Sequence, residues 1–132
     1  MNIQATVVAV AIVEDDPSVR DGLRSLITSA GYLVVPFESG TDFLARRGAH
    51  TIACVVVDAQ MPGLSGLSLQ KRLLDMHVSL PIIFVTARAD AVREQALERG
   101  AIAVLGKPFA ADELLAAIQA AIGAAGPAPT TP

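Results

Sequence analysis

Short apolar runs alternate with amphipathic stretches along the chain. The runs cover residues 7–13, 33–37, 52–57, 82–85 and 103–105. Three of them are continuously apolar rather than alternating, which marks strands buried on both faces of a parallel sheet. Between them the period changes. In 17–30, Val19, Leu23, Leu26 and Ala30 share one helical face. Asp16 or Pro17 starts this helix and Gly31 ends it. In 110–125, Leu114, Leu115, Ile118 and Ile122 form a similar stripe on an Ala-rich segment of high helix propensity. Stretches 65–76 and 90–99 also fit helices, and a shorter helix, about 41–47, is stopped by Gly48. A strand followed by a helix, five times over, predicts a doubly wound α/β sandwich.

Composition narrows the class. A chain of 132 residues holds one domain with a real core and is too short for two. With 52% hydrophobic and 17% charged residues it is globular, not disordered. A net charge of −3 offers no electrostatic footprint for nucleic acid, so any DNA contact must come from another domain. The lone Cys54 excludes an internal disulfide, suits a reducing cytoplasm, and belongs in the core of the third strand. His50 and His77 lack ligand-spaced partners and are expected at the surface. The first apolar run has no basic residue before it and is too short to span a bilayer, so neither a signal peptide nor a membrane segment is expected. Its β-branched content fits a buried strand. Stretch 123–132 carries three prolines, two glycines and no charge, and reads as a flexible tail or linker after a domain over 1–122.

Chemistry is expected where the strands end. In a parallel sheet all C-terminal strand ends share one edge, and ligands bind there at the switch in strand order. Glu14, Asp15 and Asp16 follow the first run, Asp58 the third, Thr86 the fourth, and Lys107 with Pro108 the fifth. Glu38 and Ser39, after the second, read as turn residues. Crowded carboxylates repel, and a hard cation such as Mg²⁺ relieves them. Asp15 and Asp58 are the natural ligands, with a backbone carbonyl after Asp58 as a third. A carboxylate can also act as a nucleophile toward phosphorus, forming an acyl phosphate. Mg²⁺, Lys107 and Thr86 would then supply charge neutralisation and hydrogen bonds. Taken singly, the acids could be helix-dipole partners, Asp58 a turn former, and Thr86 and Lys107 ordinary strand-end and surface residues. Their convergence on one edge favours the functional reading.

Four segments carry a family resemblance. Residues 11–17 (AIVEDDP), 55–66 (VVVDAQMPGLSG), 83–87 (IFVTA) and 106–109 (GKPF) resemble, in order and spacing, the receiver domain of two-component response regulators. The likeness spans roughly residues 7–123, and residues 37–44 (FESGTDFL) are similar to the FixJ-like branch, whose members usually carry a helix-turn-helix output domain. The resemblance implies a CheY-like, flavodoxin-like (βα)5 fold with strand order 2-1-3-4-5. It implies that Asp58 accepts a phosphoryl group from a phosphohistidine of a sensor histidine kinase. Asp15 would bind Mg²⁺ directly, Glu14 mainly through water, and the Gln60 carbonyl would be the third ligand. Thr86 and Lys107 would contact the phosphoryl oxygens, and the Lys107–Pro108 bond would be cis. Phosphorylation would reshape the face of the fourth helix, fifth strand and fifth helix, read by partners that include a second receiver. The protein would be a cytoplasmic switch controlling an output such as transcription, with self-phosphotransfer and self-dephosphorylation but no turnover of an outside substrate. Gln60 and Arg88 stand where the family tunes dephosphorylation. Val104 departs from the pattern: the family usually has Tyr or Phe there, so signalling is expected to rely on loop and helix shifts.

Two other classes compete. A Mg²⁺-dependent phosphohydrolase of the haloacid dehalogenase type also uses an aspartyl phosphate, but needs a D-x-D after a strand and finds Gln60 two residues after Asp58. A flavin-binding module would want a Ser/Thr/Gly-rich phosphate loop after the first strand, where this chain has three acids.

Overall fold

The computed structural model describes residues 9–125, with side chains described through Gly123. The elements are β1 (Ala9–Val13), α1 (Pro17–Ser29), β2 (Leu33–Phe37), α2 (Gly40–Arg46), a 3-10 turn (Arg47–Ala49), β3 (Ile52–Asp58), α3 (Gly66–Asp75), β4 (Ile82–Thr86), α4 (Ala89–Glu98), β5 (Ala103–Gly106) and α5 (Ala111–Ala125). All strands are parallel, in the order β2-β1-β3-β4-β5. The expected (βα)5 order and topology hold. Val7 and Val8, assigned to the first strand, lie outside the described residues, as do 126–132 of the expected tail. Residues 123–125, also assigned to that tail, continue α5.

Alternation along each central strand divides the core in two. Ala11 and Val13, Val55 and Val57, and Ile82 and Phe84 face the layer of α2, α3 and α4. Val10 and Ile12, Cys54 and Val56, and Ile83 and Val85 face α1 and α5, meeting Leu23, Ile27, Leu114 and Ile118. Each fully buried aliphatic or aromatic side chain contributes roughly 1.5–3 kcal/mol of hydrophobic stabilisation. β2 has only Phe37 fully buried, as an edge strand should. Pro36 within it has no N–H for a ladder, which a sheet tolerates at its edge.

The helix starts follow side-chain chemistry. Asp16 accepts the Ser18 and Val19 N–H groups, Ser39 that of Asp42, and Ser65 that of Ser68. On α1 the stripe differs from expectation at one place: Ala30 is the exposed C-cap, and Ile27 fills the core instead. Gly31 (φ 99°) ends that helix in the left-handed region. Gly48 does not itself stop α2; the helix ends at Arg46 and Gly48 sits inside the 3-10 turn. His50 and His77 are exposed and Cys54 is buried, as expected.

Gly66 lets α3 approach the end of β3. A Cβ there would stand 2.5 Å from the Asp58 carbonyl oxygen and 2.8 Å from the Ala59 Cα. Those backbone atoms cannot yield cheaply, since carbon contacts settle near 3.5–4.0 Å.

Two outcomes follow. Gly66→Ala lowers the unfolding free energy in urea by about 1–3 kcal/mol, as overpacking does; an unchanged midpoint contradicts the close approach. Burial pushes the Cys54 thiol up to about 12, so in neutral buffer the native protein resists an aromatic disulfide reagent and reacts only once urea unfolds it. Rapid native-state modification would disprove that burial.

Candidate functional site

The four strand ends meet as the parallel topology requires. Glu14 directly follows β1, where its N–H donates to the Phe37 carbonyl at 3.1 Å. Its side chain is buried at 1% exposure, with Oε2 accepting the Asp16 N–H at 3.2 Å. Asp15 is exposed. Asp58 ends β3 at 8% exposure, and its Oδ1 accepts the Gln60 N–H at 2.9 Å. Oxygens of Glu14, Asp15 and Asp58 lie within 4.8 Å of one another.

Lys107 is the cation among them. Its Nζ donates to Asp58 Oδ2 at 3.0 Å and to Glu14 Oε1 at 3.3 Å. The backbone holds it in place, the Lys107 N–H donating to the Thr86 carbonyl at 2.8 Å; the Lys107–Pro108 bond is cis. Thr86 is fully buried and its Oγ1 accepts the Arg88 N–H at 3.1 Å.

Electrostatics reflect the crowding. Burial raises the Glu14 carboxyl above its ordinary value, and Asp58's charge adds to that, although the Asp16 N–H and Lys107 pull the other way. For Lys107, burial pulls the ammonium down, but the hydrogen bond and charge of Asp58, joined by Glu14, outweigh it and leave it raised. Three carboxylates against one ammonium leave a surplus of negative charge. An all-oxygen donor set partly open to solvent through Asp15 fits a hard divalent cation such as Mg²⁺ better than a soft metal.

The sequence-predicted residues divide clearly. Glu14, Asp15, Asp58 and Lys107 come together, and Thr86 stands beside them on the next strand. Gln60 is exposed on the loop leaving Asp58 and touches the cluster through its backbone N–H. Asp16 leaves the group, because capping α1 engages its Oδ1. Sequence reasoning missed Arg20, and it missed the contacts made by Gly66 and Arg88, two residues it had placed near the site. Arg20 fixes the Glu14 carbonyl through Nη1 at 2.8 Å. Gly66 gives α3 its closeness to Asp58. The Arg88 N–H engages the Thr86 hydroxyl. Gly66 had a sequence signal as the end of the 55–66 motif and Arg88 as a family tuning position; Arg20 had none.

Known proteins resemble this chain in sequence and fold. The family model described as the response regulator receiver domain matches residues 10–119. The chain is 40% identical over 118 residues to nodulation protein W of Bradyrhizobium diazoefficiens, covering 89% of this chain and 52% of that protein. It is 38% identical over 118 residues to the transcriptional regulatory protein FixJ of the same organism, covering 89% and 58%. Full-length FixJ from B. japonicum superimposes with a TM-score of 0.84 at 36% identity, over 93% of this chain and 61% of that one. The chain thus spans little more than half the length of these relatives. Fold, edge chemistry and family match converge: the chain belongs to the response regulator receiver domain family of two-component signalling, with FixJ among its relatives.

Proposed function

We propose that this receiver is a phosphorylation-controlled switch in which Asp58 accepts a phosphoryl group from the phosphohistidine of a sensor histidine kinase. The observation that carries this reading is the Lys107 bridge: a nearly buried carboxylate at a strand end, 3.0 Å from an ammonium that is also 3.3 Å from Glu14. An Asp58 oxygen attacks phosphorus, the bond from phosphorus to the kinase imidazole breaks, and the imidazole leaves with its electron pair. Lys107 then shifts its hydrogen bond from the carboxylate to a phosphoryl oxygen. Thr86, one strand over, turns its hydroxyl to donate to another. Asp15, Asp58 and the Gln60 carbonyl would hold Mg²⁺, with Glu14 acting through water. When bound, the ion would neutralise part of the charge that a phosphoryl group brings to these carboxylates.

Signal output on this reading passes through the face of α4, β5 and α5, toward a second receiver or an output domain beyond the span described. The names of relatives such as FixJ support transcription regulation as that output. A reducing cytoplasm suits the chain's chemistry, and among the described residues no helix is long and apolar enough to cross a membrane. The chain turns over no outside substrate on this reading. The phosphohydrolase alternative gains no support, since Gln60 occupies the place where such an enzyme needs its second aspartate.

Incubation with acetyl phosphate and Mg²⁺ is expected to add the mass of one phosphoryl group, labile as an acyl phosphate. Asp58→Asn or a chelator abolishes it; an adduct that survives Asp58→Asn sinks the assignment. Mg²⁺ alone is expected to raise the thermal unfolding midpoint, because a ligand that binds only the folded state stabilises it. Asp15→Asn should remove most of that rise, and an undiminished rise would place the ion elsewhere.

A further inference from the structure

Helix α4 is clasped by side-chain bonds at its far end and has no side-chain cap at its near end. At the far end, Gln70 Nε2 on α3 donates to the Ala96 carbonyl at 3.0 Å, wholly within the core. Arg99 reaches back from the end of α4 to the Leu67 carbonyl at 3.3 Å. The two bonds run in opposite directions between α3 and α4. Gly100 (φ 97°) then closes the helix, its N–H donating to Leu97 and that of Ala101 to Ala96. Midway, the half-exposed Arg93 holds the Val104 carbonyl at 3.0 Å. At the near end, Arg88 makes no side-chain cap, and its N–H is fixed by the Thr86 hydroxyl.

Gln70 is an odd core residue. It is 1% exposed, and among the described residues its Oε1 has no hydrogen-bond partner. An apolar side chain of similar size would avoid burying an unpaired oxygen. Packing therefore does not account for the amide. Its one bond, to a helix 26 positions away, does.

We propose that Gln70 is a positioning residue, the pivot about which α4 turns. The proposal rests on the reading of Asp58 given above. When the Thr86 hydroxyl turns toward a phosphoryl oxygen it releases the Arg88 N–H, and the uncapped first turn of α4 moves. The Gln70–Ala96 bond keeps the last turn in place, so the displacement is a swing rather than a slide. Such a lever needs no aromatic side chain at Val104.

Gln70→Leu isolates this tie, because the Ala96 carbonyl keeps the Ala101 N–H and is not orphaned. Amide hydrogen exchange is read first, without ligand. In the parent protein Leu97 and Gly100 exchange slowly while Asp90 and Ala91 exchange fast. Gln70→Leu speeds Leu97 and Gly100 about tenfold with no fall in the urea midpoint. If that midpoint does fall, Gln70→Met repeats the comparison. The second reading is the amide NMR response to beryllofluoride with Mg²⁺, a phosphoryl mimic. Shifts concentrate at 86–92 in the parent protein and spread into 96–101 in Gln70→Leu, with binding about fivefold tighter because a looser helix costs less to move. Unchanged exchange and an unchanged shift pattern in both variants overturn the pivot, as does a parent response spread evenly along α4. If beryllofluoride shifts nothing at Ala59, Thr86 or Lys107, the Asp58 reading fails instead, and the exchange profile still decides whether Gln70 anchors α4.

Discussion

Carboxylate crowding at one edge of the sheet is the constraint around which this protein is arranged. Glu14, Asp15 and Asp58 bring oxygens within 4.8 Å of one another, and Lys107 is the ammonium that answers them. Such a cluster is unfavourable by itself, because like charges held close repel; at Glu14 burial is the larger penalty on the carboxylate, and the charge of Asp58 adds to it. The cluster persists because the positions are set by structure with no stake in the charge. β1 and β3 are adjacent and parallel, with Val13 opposite Val57, so Glu14 and Asp58 follow at neighbouring strand ends. Gly66 seats α3 against the Asp58 backbone, and the Thr86 carbonyl fixes the Lys107 N–H. The core therefore holds together a charge arrangement that is costly by itself.

Legibility in the sequence followed physical locality. β1, β3 and β4 could be read because burial on both faces leaves an unbroken apolar run, and the helices because their stripes repeat within a single segment. The strand-end acids, Thr86 and Lys107 could be read because parallel topology alone carries them to one edge. What escaped depends on segments meeting at short range. Ala30 and Ile27 exchange roles through a fraction of a helical turn at a C-cap. Arg20 acts on a backbone carbonyl and Arg88 through its own backbone N–H, and no side-chain pattern records either. Gln70 sits on the buried face of α3 beside Leu69 and Leu73, where a polar letter reads as surface.

Val104 shows how a departure from a family pattern can be absorbed. The residue is buried at 6% exposure and packs with the α4 layer, so its position serves the core. Gln70, Arg93 and Arg99 tie α4 through bonds from side chains to backbone carbonyls. Backbone acceptors do not depend on the identity of the residue that carries them. Arg93 can hold the strand at Val104 whatever side chain stands there.

The same bond, seen with Pro36, has a consequence for association. A five-stranded open sheet has two edges, and an unguarded edge recruits further strands. On β2, Pro36 removes a donor from one edge; on β5, Arg93 occupies the carbonyl of Val104 on the other. Both margins are thereby poor templates for strand addition. Self-association is steered away from growth of one continuous sheet, the geometry that leads to open-ended polymers, and toward contacts between helices and loops that can close and come apart again.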